Sequence, residues 1–445
     1  MLDDLVDLKT ITSLCKRRGF LFQSSEIYGG LASTWDYGPL GVELKNNIKT
    51  SWWKNFVWSR NDIVGLDSAI LMHPDVWKVS GHVENFSDPL VDCISCRKRW
   101  REDQLESKSC PDCGGALTDV RQFNLMFETN MGPIKDDNSN VYLRPETAQG
   151  IFVNFENVMK SMRLKLPFGI AQLGKAFRNE ITTGNFIFRT REFEMMEIEY
   201  FVNPENDQRV YDQWVTDFMN WYKNLGMDTD KLRIREHDKG ELAHYAKATS
   251  DIEYQFPWGW GEIQGIANRT DYDLQAHSKQ TGQKLSYFDE KLSKHIVPYV
   301  IEPSAGVDRI FMAILLDSYQ EEVVSSINGK SDTRIVLKLT PELAPIKVAV
   351  LPLSRKDVLS DLATQIYKDI KSSAVTTGVV EYDDSQSIGK RYRRQDEIGT
   401  PICVTIDFDS LDDKCVTLRF RDTMEQIRIP ISDLIEQIRL NLNNG

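Results

Sequence analysis

Two groups of residues in this 445-residue chain have the types and spacing to do chemistry. The first is Cys93-Ile-Ser-Cys96 with Cys110-Pro-Asp-Cys113, the latter followed by Gly114-Gly115. Each pair makes a tight turn that aims two thiolates at one point, so two pairs across a short polar segment suit tetrahedral zinc. Disulfides or redox CxxC motifs are the alternatives, and the doubled pairs favour a zinc ribbon. The second group is FRNEITTGNFIFRTREFEMMEIEYF, 177–201. Its second half alternates Phe193, Met195, Glu197 and Glu199 with Glu194, Met196, Ile198 and Tyr200, as a strand does. Acids along one face of a strand are poor core material, so that face is a solvated edge or the wall of a pocket. Arg178 near a turn can fork to phosphate. Arg309 opens an apolar helix, where backbone amides favour anions. Two arginines from distant segments fit a polyphosphate clamp for phosphoryl or nucleotidyl transfer. There is no GxxxxGK[ST] loop and no GxGxxG after a strand, so a nucleotide site here is of another kind.

The elements that must position these groups follow from periodicity. Residues 40–57 read as a helix with Val42, Ile48, Trp52 and Phe56 near one face, followed by a β-like run, DIVGLDSAIL, that ends before Pro74. FNLMFET and VYLRPETAQGIFVNF start as strands, and a helix covers 148–161. A helix over 206–225 carries Val210, Trp214, Phe218 and Trp221 on its core side and stops at Gly226. HIVPYVIEPSAGVDRIFMAILLDSY reads as strand, turn and helix, with Ser304, Ala305 and Gly306 breaking the strand. Polar and proline punctuation sets a boundary near 330–345. Beyond it, KVAVLPLS, ICVTIDF, CVTLRFR and EQIRIP read as strands among helices, a compact α/β module.

The length argues for two or three domains. No secretory signal and no apolar stretch of membrane-spanning length is visible, so a cytoplasmic setting is expected. A net charge of −12 argues against sequence-wide affinity for nucleic acid and leaves RNA recognition to local basic patches. One such patch is Lys390, Arg391, Arg393 and Arg394 around Tyr392, suited to phosphate contacts and base stacking, although an exposed helix start has the same pattern. Cys15, Cys403 and Cys415 read as core. The six histidines are dispersed and none is assigned a catalytic role.

RNE followed by a loop and REF-x-x-x-E resembles motif 2 of the class II aminoacyl-tRNA synthetases. GVDRIFMAIL resembles motif 3, and 40–74 resembles motif 1, the dimer-forming element. SEIYGGLASTWDYGPLGVELKNN, SGHVENFSDPLVDC, RPETAQGIFVNF, GEIQGIANRTDYDL and EPSAGVDR resemble the dimeric bacterial-type glycyl-tRNA synthetases, over nearly the whole chain. SIGKRYRRQDEIGTP (387–401) resembles the anticodon-binding domain shared by the glycyl, threonyl, prolyl and histidyl enzymes.

The resemblance implies an α/β (α+β) protein: an antiparallel-sheet catalytic domain over 1–335, with motif 2 at about 177–201 and motif 3 at about 302–316. It adds a zinc-ribbon-like insertion at 92–115, ligated by Cys93, Cys96, Cys110 and Cys113, and an anticodon-binding domain over 342–445. The implied activity is glycine activation by ATP with Mg²⁺, then transfer to the 3′ end of tRNA(Gly), by a homodimer. Arg178 would bind the α-phosphate, Glu180 the adenine amino group, Phe193 the adenine face, Arg309 the γ-phosphate, and Glu262 would help hold Mg²⁺. Asn179, Phe188, Arg189, Thr190, Arg191, Glu192, Ile263, Gly306, Val307 and Asp308 complete the implied ATP site. Glycine offers only its ammonium and carboxylate, and the ammonium maps onto Glu146, Glu197 and Glu302, with Ser304 beside them. Arg269 would fill the space of a methyl group; Phe193, Glu194, Met195, Met196, Pro303, Ala305 and Gly306 flank the site; Arg101, or neighbouring Arg99, would contact substrate. No smaller amino acid exists to be rejected, so no editing domain is needed. Lys390, Arg391, Arg393 and Arg394 are the implied tRNA contacts. A paralogue that held tRNA without activating glycine would be expected to lack Arg178, Arg309 or the pocket acids, and all are present.

Overall fold

A computed structural model describes residues 6–105, 107–133, 139–181, 184–325, 331–373, 375 and 378–443. Thr182 and Thr183, in the stretch that resembles motif 2, and residues 326–330, beside the expected boundary, lie outside that set.

The centre is a seven-stranded sheet: β1 (Ile63–Gly65), β2 (Phe168–Phe177), β3 (Glu192–Val202), β4 (Leu232–Glu236), β5 (Ala248–Phe256), β6 (Gly259–Thr270) and β7 (Tyr299–Gly306). Their order is β4-β5-β6-β7-β3-β2-β1, antiparallel except for β1 on β2. The alternation along β3 separates two environments. Met196, Ile198 and Tyr200 join the main core, while Phe193, Met195 and Glu197 line a cleft on the other face. Ser304, Ala305 and Gly306 do not break β7 as expected. They pair with Glu197, Met196 and Met195, so the ladder continues to the residue where helix Val307–Ser318 begins.

Helix Pro39–Trp53 starts with proline in its first turn, where a missing N–H costs nothing. Leu44, Ile48 and Trp52, four apart, form its buried stripe. Val42 is off that stripe and 41% exposed, contrary to the expected face, because six residues do not return to the same side of a 3.6-residue helix. Gly41 is required by proximity: a Cβ there would meet the Phe20 carbonyl oxygen at 1.9 Å. The helix widens into a π-turn at Lys54–Trp58, which delivers Phe56 onto Phe218 at 4.3 Å and beside Trp214 and Trp221. Of the expected β-like run after it, only Ile63–Gly65 is strand.

A small sheet, Ser87–Asp92, Arg99–Arg101 and Arg121–Asn124, frames the cysteine turns. The C-terminal module is a five-stranded sheet in the order Val379–Tyr382, Ile346–Pro352, Ile402–Ile406, Cys415–Phe420, Gln426–Pro430. Val348, Val350, Leu359, Ile366, Val404 and Ile438 close its core. The strand Ser331–Leu337 runs past the expected domain end at 335 and packs on helix Ile388–Ile398. Buried Asp396 of that helix pairs with Arg334 and Arg419, each at 2.8 Å, and Glu397 pairs with Arg17 and Arg18 at 3.0 and 2.7 Å. The module is therefore anchored to the rest of the chain by ion pairs from two separate elements.

Candidate active site

The face of β3 that carries the acids opens on a cleft of 340 Å³, within the usual range for small-molecule sites. One end is basic. Arg178, just past β2, gives its Nε to the Pro145 carbonyl at 3.1 Å and stands 5.2 and 5.3 Å from the Phe86 and Phe193 ring centres. Its terminal nitrogens have no ion-pair partner among the described residues. Arg309 lies over Phe188 at 4.4 Å and donates to the Phe188 carbonyl and to the Glu262 carbonyl and carboxylate at 2.9–3.2 Å. Glu180 is 9% exposed, and its buried Oε2 accepts no hydrogen bond from the described residues. Glu262 and Asp251 converge above Gly265: a Cβ there would meet Glu262 Oε1 at 3.5 Å and Asp251 Oδ1 at 4.0 Å. Asp251 also takes His237 Nε2 at 2.7 Å. Two carboxylates beside a glycine gap make an oxygen donor set that suits a hard divalent cation.

The other end is acidic. Glu197 accepts the Thr147 backbone N–H at 3.0 Å and the Thr147 hydroxyl. Glu146 meets His82 Nε2 and Gln149 Nε2, each at 3.2 Å. Glu302 takes Arg269 Nη1 at 2.5 Å. Burial raises Glu197, and the Glu146 charge raises it further. Burial also pushes Glu302 up to about 8 against the pull of Arg269, with Glu197 and Glu146 adding to the push. For Glu146 the order of strength reverses: burial opposes ionisation, but His82 and Arg269 together hold it well below the usual carboxylate range. An acidic pocket with one carboxylate poised near neutrality is built to receive a cation.

Several expected site residues stand elsewhere. Glu194 is on the opposite face of β3, where its carboxylate pairs with Lys45 and Lys49 at 3.2 and 3.1 Å. Met196 and Ala305 are core because strand alternation turns them away from the cleft, and Val307 is core at the start of helix Val307–Ser318. Asp308 borders the cleft, yet its carboxylate is occupied by Tyr37, Lys45 and the Glu194 backbone N–H. Arg191 spends its guanidinium on the Ala32 and Glu180 carbonyls, and Glu192 pairs with Lys175. Arg101 is held by Asp88 and Asp103, and Arg99 by Asp92, at the insertion rather than in the cleft. Asn179 and Pro303 do not line it either, whereas Arg189, Thr190, Ile263, Ser304 and Gly306 do. Arg269 is 1% exposed and does not form the wall. It sits behind it, bidentate to Asp273 at 2.8 and 3.0 Å and 3.9 Å from the Tyr245 ring centre. His82, His237, Asp251 and Tyr245 were not anticipated. Their partners come from remote segments, and no spacing along the chain announces such pairs.

The four cysteine sulfurs lie within 4.8 Å of one another, with Cys93–Cys113 at 3.4 Å and Cys96–Cys110 at 3.6 Å. Disulfides need about 2 Å, whereas sulfurs bound about 2.3 Å from one zinc ion stand about 3.8 Å apart. The Cys96 backbone N–H, foremost, pulls the Cys93 thiol down to about 6, toward the thiolate a metal requires. The residues present fit zinc.

The expected tRNA patch is corrected. Arg391 is 1% exposed, with Nη1 on the Pro352 and Asp383 carbonyls at 2.7 and 2.9 Å. Arg393 pairs with Asp332, and Arg394 with Asp383 and Ser385. Helix Ile388–Ile398 lays this side partly on its own module and partly on strand Ser331–Leu337, and Lys390 remains exposed and outside those pairs. Arg391→Ala should therefore lower the stability of the C-terminal module by about 2–3 kcal/mol, read by chemical denaturation, while Lys390→Ala should leave it unchanged. Equal stability for the two variants would overturn this assignment.

Comparison with known proteins places the chain in a family. A family model for the tRNA synthetase class II core domain (G, H, P, S and T) matches residues 127–319, and one for an anticodon binding domain matches 347–441. The chain is 54% identical to the glycine–tRNA ligase of Treponema denticola, over 100% of this chain and 99% of that protein. It is 53% identical to that of Alkaliphilus oremlandii, over 96% of each, and 53% identical to that of Thermobifida fusca, over 97% and 96%. With two domain matches in order and identity along its whole length, the chain belongs to the glycine–tRNA ligase family.

Proposed function

We infer that the cleft joins glycine to tRNA(Gly) in two steps, as a glycine–tRNA ligase. The observation that carries this is the lining of a single cleft: two arginines from different elements together with Glu146, Glu197 and Glu302. Arg178 faces the α-phosphate and Arg309 the γ-phosphate. Phe193 offers a flat face for adenine, and the unpartnered Glu180 oxygen accepts its amino N–H. The three acids hold the glycine ammonium, which leaves the glycine carboxylate directed at the phosphates. A carboxylate oxygen attacks the α-phosphorus, the bond to the β-bridging oxygen breaks, and pyrophosphate leaves. The terminal tRNA hydroxyl then attacks the glycyl carbonyl and AMP leaves. No side chain becomes covalently bound. Arg178 meets the growing charge on the α-phosphoryl oxygens, which is where preorganised charge lowers a barrier most.

Glu262 and Asp251 are the residues that would hold Mg²⁺, which when bound offsets triphosphate charge. Cys93, Cys96, Cys110 and Cys113 would hold structural zinc. Residues 1–335 form the catalytic domain, 92–115 its insertion and 342–445 the tRNA-reading module, in a bacterial-type homodimer built on residues 40–74. A cytoplasmic setting suits this role, and no helix among the described residues is long and apolar enough to cross a membrane.

The test is pyrophosphate–ATP exchange with each of the twenty amino acids, without tRNA. Glycine alone should give a signal. No exchange with any of them, from folded protein, would leave a tRNA-binding paralogue as the better reading. The same preparation, kept reduced, should contain one zinc per chain and show a dimer mass in light scattering; a metal-free or monomeric protein would remove that part of the proposal.

A further inference from the structure

β3 carries a second buried acid that the two-step reading does not use. Glu199 lies two residues beyond Glu197, on the same face of the strand, with no exposed surface. The β3–β7 register sets Glu197 opposite Ser304 and Tyr200 opposite Ile301, which puts Glu199 opposite Glu302. An oxygen from each of Glu197, Glu199 and Glu302 lies within 4.8 Å of the other two. Ionised acids directly opposite one another in a sheet repel.

The donors that reach Glu197 and Glu302 are already committed. Thr147 serves Glu197 with both its N–H and its hydroxyl. Arg269 gives Nη1 to Glu302, and Nε and Nη2 to Asp273. Among the described residues, neither oxygen of Glu199 has a hydrogen-bond partner. An ionised carboxylate in that position carries a desolvation penalty that one proton removes. Burial foremost, then the Glu302 charge, drives the Glu199 carboxyl well above the usual range; Arg269 pulls the other way, while Glu197 and Asp273 add to the rise. These are the charged groups facing it from β3, β6, β7 and helix Tyr272–Thr281.

We propose that Glu199 is a neutral carboxylic acid that donates its proton in a hydrogen bond to Glu302 and so positions the ammonium site. The proposal rests on the reading of Glu146, Glu197 and Glu302 as that site. Glu199 touches no substrate. Its O–H fixes the Glu302 oxygen that Arg269 does not hold, and its neutrality limits the negative charge that Arg269 and the incoming ammonium must balance.

Glu199→Gln keeps a neutral donor of the same length, and Glu199→Met fills the volume without one. The Gln variant should keep the KM for glycine within about threefold of the parent, and the Met variant should raise it about tenfold or more, as loss of one such hydrogen bond allows. KM for ATP should not move in either, which also reports folding. Difference infrared spectroscopy at pH 9 should show a buried protonated carboxylic acid in the parent and not in Glu199→Gln, a readout that does not need the Met variant to fold. Equal damage in both variants would mean that the ionised form is required. A Met variant identical to the parent, or a parent without the infrared band, would equally overturn the proposal. Absence of glycine-dependent exchange in the parent enzyme would instead sink the glycine reading itself, before any Glu199 variant is measured.

Discussion

Arg178→Ala should cut glycine-dependent pyrophosphate exchange about a thousandfold, the cost of removing one preorganised charged donor from a developing oxyanion, while KM for glycine moves less than about threefold. The split follows from placement. Arg178 makes no ion pair with Glu146, Glu197 or Glu302 among the described residues, whose contacts are to Thr147, His82, Gln149 and Arg269, so its loss leaves the ammonium contacts intact. It is also ready-made: one nitrogen is held by the Pro145 carbonyl, two aromatic rings flank the guanidinium, and the terminal nitrogens remain for the ligand. Little reorganisation is left to the moment of reaction, which is the condition under which such a charge is worth most. Arg191→Ala is the comparison. Arg191 lies in the same loop, but its guanidinium ties the Ala32 and Glu180 carbonyls, so its removal should loosen the loop and cost about tenfold or less. Rates of glycine-dependent exchange under saturating ATP check both. A loss below tenfold for Arg178→Ala would show that the α-phosphoryl charge is met by another group.

What could be read from the chain divides by the range of the signal. The β3 alternation, the aromatic stripe of Trp214, Phe218 and Trp221, and the paired cysteine turns are local, and each is realised where the periodicity puts it. Short stretches with mixed duty were not legible. Glu194 and Glu197 look equivalent in EFEMMEIE, yet pleating sends one to Lys45 and Lys49 and the other into the cleft. The arginines of KRYRR look like one patch, but packing of their helix buries Arg391, ties Arg394 to Asp383 of its own module and ties Arg393 to Asp332 of strand Ser331–Leu337. Arg269 shows the same limit. Its side chain ends among Asp273, Glu302 and Tyr245, from three different elements, and only the packed sheet reveals that it supports the wall instead of forming it.

That position makes Arg269 the residue whose loss should be felt most widely. Among the described residues it is the one cation paired with Asp273 and Glu302. Arg269→Met leaves two acids buried without a counter-charge, which costs about 3–5 kcal/mol when one partner of a buried pair is removed. Those acids relieve the cost by taking protons. The glycine ammonium then faces a neutral Glu302, and KM for glycine should rise by about a hundredfold or more at pH 7, the worth of about two pK units. The parent enzyme should show the milder form of the same effect. Glu302 is pushed up to about 8, and an ammonium binds its ionised form, so glycine binding must release a proton below that pH. Affinity for glycine should therefore strengthen as pH rises from 6 toward 8, by up to about tenfold per unit, and then level. In Arg269→Met the levelling point moves to higher pH, because the guanidinium that holds Glu302 down by direct contact is gone. Glycine KM profiles between pH 6 and 9, with ATP KM as the internal control, decide the matter. A flat profile in the parent would show that Glu302 is already ionised at neutral pH and that Arg269 outweighs both its burial and its acidic neighbours.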